Sequence, residues 1–204
     1  MILIGPNRSP YTRRVAITLN IYGMPYEQYP LSGFGDRAAV RAWNPLGRIP
    51  ALVLDSGETL VDSVAIIDHL DEIHGREHAL TPPTGAERRA VLKVAALLMG
   101  VCDKGLQSAY ERSQKPPEKV HQPWIDDCVA QTANALAAVE EMIQPDARHL
   151  LLDRLTQADV AAVVAERFAR LVVRVDTDAR VPRLAALART LAEQPAFIVP
   201  EHAR

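Results

Sequence analysis

Cysteine and aromatic residues are scarce in this chain of 204 residues: two cysteines, and Phe, Trp and Tyr together only 5%. Cys102 and Cys128 have neither C-x-x-C spacing nor a second pair nearby. That excludes a disulfide framework and a tetrahedral zinc site made of cysteines. No run approaches the roughly 20 apolar residues that a membrane span requires. The apolar stretch at Ile2 to Ile4 is far too short for a signal-peptide core, so the expectation is a reducing, cytoplasmic compartment. A charge excess is missing too: 23 Lys+Arg against 25 Asp+Glu leave a formal charge of −2. Nucleic-acid binders that work through bulk charge carry a clear basic excess, so none is expected as a partner. With so few aromatics the core must be built from Ala, Leu, Val and Ile, which leans helical.

What is present falls into two textures. Ile2 to Ile4 reads as a short buried strand ended by Gly5-Pro6. Ser9-Pro10 opens a helix, serine as N-cap and proline at the first helical position, where its missing N–H costs nothing. Val15, Leu19 and Tyr22 form its apolar stripe and Gly23 closes it. Tyr26 to Leu31 reads as a second strand, and an irregular stretch from Ser32 to Asp36 leads to a short helix before Asn44. Ala51 to Leu54 and Thr59 to Val61 pair as a hairpin across a two-residue turn, Ser56-Gly57. Asp62-Ser63 caps a third helix carrying Ile66, Ile67, Leu70 and Ile73. The order β-α-β-α-β-β-α predicts a small open sheet with helices on both faces.

After Gly75 strand signals almost vanish. A polar stretch with Pro82-Pro83 and Gly85 reads as a linker. One long helix is marked by Val91, Ala95, Leu98, Cys102 and Ala109, and a second by Trp124, Cys128, Leu136, Val139 and Ile143. Val160, Val163, Val164, Phe168, Leu171 and Val172 mark a buried third, and Ala185 to Leu191 a fourth. The expected division is an α/β domain over 1–76, a linker over 77–86 and an all-α domain over 87–204.

Four motifs then stand in register: Ser-Pro-Tyr-Thr-Arg-Arg-Val at 9–15, Asn-Pro-Leu-Gly-Arg-Ile-Pro at 44–50, Asp-Ser-Val-Ala-Ile at 62–66 and Thr-Gln-Ala-Asp at 156–159. In order and spacing they resemble the signature of bacterial glutathione S-transferases, and the resemblance covers essentially the whole chain. It implies a thioredoxin-like N-terminal domain, an all-helical C-terminal domain and a homodimer. It also implies glutathione as cosubstrate on the first domain, with a small, apolar electrophile held between the domains.

Glutathione carries two carboxylates, an ammonium and a thiol whose pKa near 8.5 leaves only a few per cent ionised at neutral pH. A helix N-terminus favours an adjacent anion. Ser9 stands at such a start, where its hydroxyl either donates to the sulfur or only caps the helix. Tyr11, a stronger donor two residues on, competes for the catalytic role. The resemblance makes the Ile49-Pro50 bond cis and assigns the backbone of Ile49 to the cysteinyl part of glutathione. Ser63 is read as contacting the γ-glutamyl carboxylate and Asp62 the ammonium, although both are also ordinary capping residues. Many relatives carry Glu where Asp62 stands. Arg48 is a candidate for the glycyl carboxylate or a solvated cation. Asp103 and Tyr110 are candidates for the substrate cleft. Arg13 is expected to pair with an acid of the second domain or of a partner subunit.

The absence of a cysteine near Ser9 argues against thiol–disulfide exchange; Cys102 and Cys128 are read as small buried hydrophobes. His69, His74 and His78 do not make a metal site, because Gly75 ends the helix between the last two and no acid or thiol is suitably spaced. Thr156 and Asp159 read as a capping box with a purely structural role. The leading functional reading is a glutathione S-transferase of detoxification type, acting by thiolate stabilisation and proximity without a covalent enzyme intermediate. Glutathione-dependent isomerisation, dehalogenation or peroxide reduction, and a non-catalytic binding or regulatory subunit, are the alternatives.

Overall fold

The computed structural model describes residues 1–201. They form two compact units, one of Met1–Ala79 with the segment from Glu193 onward, the other Leu80–Ala192.

The first unit has the expected element order: β1 (Ile2–Ile4), α1 (Pro10–Ile21), β2 (Glu27–Tyr29), α2 (Arg37–Val40), β3 (Ala51–Val53), β4 (Thr59–Val61) and α3 (Ser63–His74). The sheet order is β2-β1-β3-β4, with β1 parallel to β2 and antiparallel to β3, and β3 antiparallel to β4. This is a thioredoxin-like arrangement. Ile4, Ala51 and Val53 form a buried cluster on one sheet face, with Ile2, Leu31 and Trp43 packed against it. Leu3 and Leu52, register partners pointing to the other face, are fully buried. Two details differ from the sequence reading. β2 is only three residues long. The hairpin loop holds three residues, Asp55, Ser56 and Gly57, because Leu54 N–H donates to Glu58 O at 2.8 Å. Gly57 N–H closes a turn onto Leu54 O, and its φ of +88° is the left-handed position that such three-residue loops require.

The second unit is all-helical: α4 (Gly85–Ser113), α5 (Gln122–Glu140), α6 (Gln157–Phe168), α7 (Thr177–Arg180) and α8 (Pro182–Ala192). α6 is its axis; every residue from Gln157 to Phe168 except Arg167 is buried. α4 reaches it closely at Gly105, where a Cβ would sit 2.8 Å from the Phe168 ring. Glu140, at the end of α5, caps the start of α8 by accepting from Arg183 N–H at 2.9 Å and Leu184 N–H at 2.8 Å. Cys102 and Cys128 are fully buried in α4 and α5.

Several expectations for this half are corrected. Residues 85 and 86, assigned to the linker, already belong to α4. Leu80 and Thr81 are buried, and Leu80 O accepts from Gln157 N–H at 3.0 Å. Trp124 is exposed; Ile125 takes its place in the α5 core stripe. Leu171 and Val172 are exposed as well, because the helix widens to a π turn over Ala169–Val173. The wider turn delays each side chain in rotation, so Ala169 and Val173 face inward instead. The chain after α8, expected in the all-α domain, returns to the first unit, where Phe197 and Val199 are buried.

Candidate active site

The sheet topology gathers the singled-out residues of the first unit at one end. β1 and β4 both run antiparallel to β3, so they end where β3 begins. α1 follows β1 after a five-residue turn and α3 follows β4 directly, so both helices start at that end. Pro50 precedes β3 at the same place. Since Val61 pairs with Ala51, one further step of register sets Asp62 beside Pro50. Ser9, Ile49, Pro50, Asp62 and Ser63 are therefore brought together by strand direction alone.

Gly5 makes the approach possible. With φ +130°, it leaves no room for a side chain: a Cβ would lie 2.5 Å from Thr12 Oγ1 and 3.1 Å from Ile49 Cβ. The end of β1, the first turn of α1 and the residue before Pro50 thus meet at one point. The next loop comes near, since a Cβ on Gly33 would lie 4.0 Å from Ile49 Cγ1 and Arg8 Nη2 donates to Ser32 Oγ at 3.4 Å.

Ser9 is the N-cap of α1, half-buried, with its Oγ accepting from Thr12 N–H at 3.4 Å. Pro10 occupies the first helical position and the first turn contains no acidic residue. The positive end of the helix dipole is therefore not neutralised by the helix's own side chains. Tyr11, one position further, is half-buried. Thr12 is fully buried, and its Oγ1 has no hydrogen-bond partner among the described residues.

The Ile49-Pro50 bond is cis. Asn44, nearly fully buried, shapes the loop that leads to it: its Nδ2 donates to Arg48 O at 2.8 Å and its Oδ1 accepts from Leu46 N–H at 3.0 Å. Ile49 is half-buried, Pro50 buried and Arg48 exposed. Arg8 and Arg48 are exposed on these loops, and Arg37 and Arg41 at the two ends of α2. The neighbouring carboxylate of Asp36 is taken up by Ser32 N–H at 2.8 Å. The surroundings favour an anionic ligand.

Asp62 caps α3, its Oδ1 accepting from Val64 N–H at 2.9 Å. It is exposed and holds φ +71° and ψ 134°, a region that costs a non-glycine residue about 1–3 kcal/mol. Ser63 is buried at the first helical position, and the first turn of α3 again lacks an acidic residue. Two helix N-termini, each with a hydroxyl or carboxylate cap, open at the same end of the sheet.

The remaining candidates lie elsewhere. Asp103 and Tyr110 are exposed on α4 of the second unit, seven residues apart and so on one helix face. Arg13 is buried; it pairs with Glu201 at 3.2 Å, within the segment assigned by sequence to the second domain but packed on the first unit. His74 stacks on Tyr22 with ring centroids 3.9 Å apart, and the Tyr22 hydroxyl donates to Asp71. Among the described residues no three His, Cys, Asp or Glu side chains come together as a metal-ligand set. Sequence reasoning missed Arg8, Thr12 and Asn44. Asn44 had a legible signal, since Asn-Pro favours a side-chain-closed turn; the burial of Thr12 depends on Gly5 and had none.

Residues 3–78 match the family model described as the glutathione S-transferase N-terminal domain. The chain is 36% identical over 205 residues to maleylacetoacetate isomerase of Pseudomonas aeruginosa, covering 93% of this chain and 90% of that protein. A glutathione transferase family member from Pseudomonas fluorescens, solved with bound glutathione, superposes with a TM-score of 0.84 at 30% identity, over 96% of either chain. A glutathione S-transferase from Methylobacterium radiotolerans, in complex with glutathione sulfonate, gives 0.89 at 26% identity over 100% of this chain and 99% of that one.

Proposed function

The chain belongs to the glutathione S-transferase family, and on that footing we propose that it is an enzyme that binds glutathione at the end of its sheet and activates the thiol there. The observation that carries the reading is the pair of helix N-termini, α1 and α3, opening at one end of the sheet, that of α1 with no acidic residue at its cap or in its first turn. A tripeptide with two carboxylates and a thiol to be ionised suits that field.

In this reading Ser9 Oγ donates to the sulfur while the α1 dipole favours thiolate; Tyr11 is the rival donor. The backbone of Ile49 pairs with the cysteinyl residue of glutathione beside Pro50. The Ser63 hydroxyl and N–H hold the γ-glutamyl carboxylate, Asp62 accepts from the ammonium, and Arg48 faces the glycyl carboxylate. Asp103 and Tyr110 contribute to the substrate side. No metal takes part.

The thiolate then attacks a small electrophile. If a leaving group departs with the bonding electrons, glutathione is consumed in a transfer. If the thiolate instead adds to a cis double bond conjugated with a carbonyl, the former double bond becomes a single bond that rotates. Expulsion of the thiolate restores the alkene as trans and returns the glutathione. The isomerase reading is favoured by the likeness to maleylacetoacetate isomerase over 93% of this chain. The protein is further proposed to be a cytoplasmic homodimer, its cysteines kept reduced.

The test is an inventory of glutathione during turnover of maleylacetoacetate and of an electron-poor aryl halide. Trans product at constant glutathione supports the isomerase, stoichiometric thioether formation supports the transferase, and binding without turnover of either contradicts both readings.

A further inference from the structure

We infer that the C-terminal segment from Pro195 to Glu201 is a positioning element for the turn that presents Ser9. The inference rests on the thiol-activating reading of Ser9 given above. After α8 the chain lies along α1: Phe197 and Val199 are buried, and Asn20 Nδ2 donates to Ala196 O at 3.1 Å. At its far end the segment meets Asn7 of the β1–α1 turn and Arg13 of α1. Asn7 Nδ2 donates to Pro200 O at 3.0 Å, and Arg13 Nη2 pairs with Glu201 Oε1 at 3.2 Å.

Both contacts converge on Asn7, two residues before Ser9. Asn7 is fully buried. Its side chain exchanges two hydrogen bonds with Gln28, at 3.0 and 2.8 Å, and Gln28 Nε2 also donates to Gly5 O at 2.8 Å. The Asn7 carbonyl accepts from Arg13 Nε at 2.8 Å. One guanidinium, only 9% exposed, therefore ties the main chain of the turn to the carboxylate of the C-terminal segment. A guanidinium so buried depends on its charged partners, and the half-exposed carboxylate of Glu201 is one of them. Without Glu201 it is drawn toward water and its hold on Asn7 O weakens. Within the turn itself, Pro6 offers no N–H and Ser9 N–H closes locally on Pro6 O at 3.0 Å. Displacing a catalytic group by about 1 Å is enough to lower a rate by as much as a hundredfold. Asn7, Arg13 and Glu201 act through Ser9 and are positioning residues.

The experiment compares Glu201→Gln, truncation after Gln194, and Asn20→Ala with the wild type. The Asn20→Ala variant loses a bond to the same segment away from the turn. The readouts are thermal stability, glutathione Kd, and the pH profile of kcat/KM with an electron-poor aryl halide. Glu201→Gln is expected to stay folded and bind glutathione, with its kinetic thiol pKa moved upward. At pH values below the wild-type pKa, raising that pKa by one lowers the rate about tenfold, and the variant rejoins the wild type at high pH. Truncation moves the pKa further the same way, and Asn20→Ala leaves it in place. An unmoved pKa in folded Glu201→Gln overturns the inference, whether or not the truncated chain folds. A wild type whose bound thiol is itself unperturbed overturns the reading of Ser9 instead.

Discussion

Asp159→Ala probes a buried carboxylate on which the start of α6 depends. As a simple helix cap, the Thr156–Asp159 box is worth about 1 kcal/mol. In the folded chain Asp159 is completely buried and does more. Its Oδ1 accepts from Leu150 N–H at 2.7 Å, and its Oδ2 from Thr156 N–H and Thr156 Oγ1, both at 2.8 Å. Leu150 and Thr156 are themselves buried, so removing the carboxylate strands two fixed backbone donors. Each costs about 1–3 kcal/mol, whereas the hydroxyl can turn to another acceptor. The expected loss is about 4 kcal/mol, the middle of the range for two stranded donors, against about 2 kcal/mol for Thr156→Val, which gives up the hydroxyl's donation to the Asp159 carboxylate and its weak 3.3 Å bond from Ala158 N–H. The chain has two tryptophans, Trp43 in the first unit and Trp124 in the second. On a Trp43→Phe background, urea titrations followed by emission therefore report on the second unit. Equal losses for Asp159→Ala and Thr156→Val would refute the reasoning, because they would mean that the Leu150 and Thr156 amides find partners elsewhere.

Ser9→Ala is expected to raise the bound thiol pKa by about 1–2, the loss of one hydrogen bond to a charged acceptor. It should lower stability by only about 0.5–1 kcal/mol, since the cap bond is long. Tyr11→Phe should leave the pKa in place; the reverse pattern in kinetic pH profiles would transfer the role to Tyr11. Glu111 is held below the usual carboxylate range by the Lys115 ammonium at 2.7 Å and by His121 N–H at 3.0 Å. A depressed folded pKa contributes stability above the unfolded carboxylate pKa of about 4.3, which is lost as pH falls through the folded value. The stability gap between wild type and Glu111→Gln should accordingly shrink on acidification, and a constant gap in denaturant titrations would contradict this. Burial pushes the Cys128 thiol up, so alkylation of the native protein at mildly alkaline pH should wait on unfolding; rapid labelling would contradict that burial.

The first unit was legible because its chain is punctuated. Ser9-Pro10, Asn44-Pro45, Ile49-Pro50 and Asp62-Ser63 each admit few conformations, and strand direction then brings them to one end of the sheet. Asp62 and Ser63 were readable as caps, though not the φ of +71° at Asp62, which is imposed by the turn from β4 into α3. The second unit was legible as helices but not in phase. A π turn at Ala169–Val173 leaves no mark in apolar spacing, so Leu171 and Val172 read as core. Trp124 read as core on its apolar ring, yet it stays exposed with Lys104 Nζ 5.3 Å from the ring centroid. The return of the chain to the first unit was hidden because its contacts, Asn7 with Pro200 and Arg13 with Glu201, join residues nearly the whole sequence apart.

The central claim is that the end of the sheet ionises a bound thiol, and an ultraviolet difference titration of glutathione on the wild-type protein tests it most directly. Thiolate absorbance is expected to rise with a midpoint well below the free thiol's pKa of about 8.5. Glutathione that binds and titrates as it does in free solution would contradict it.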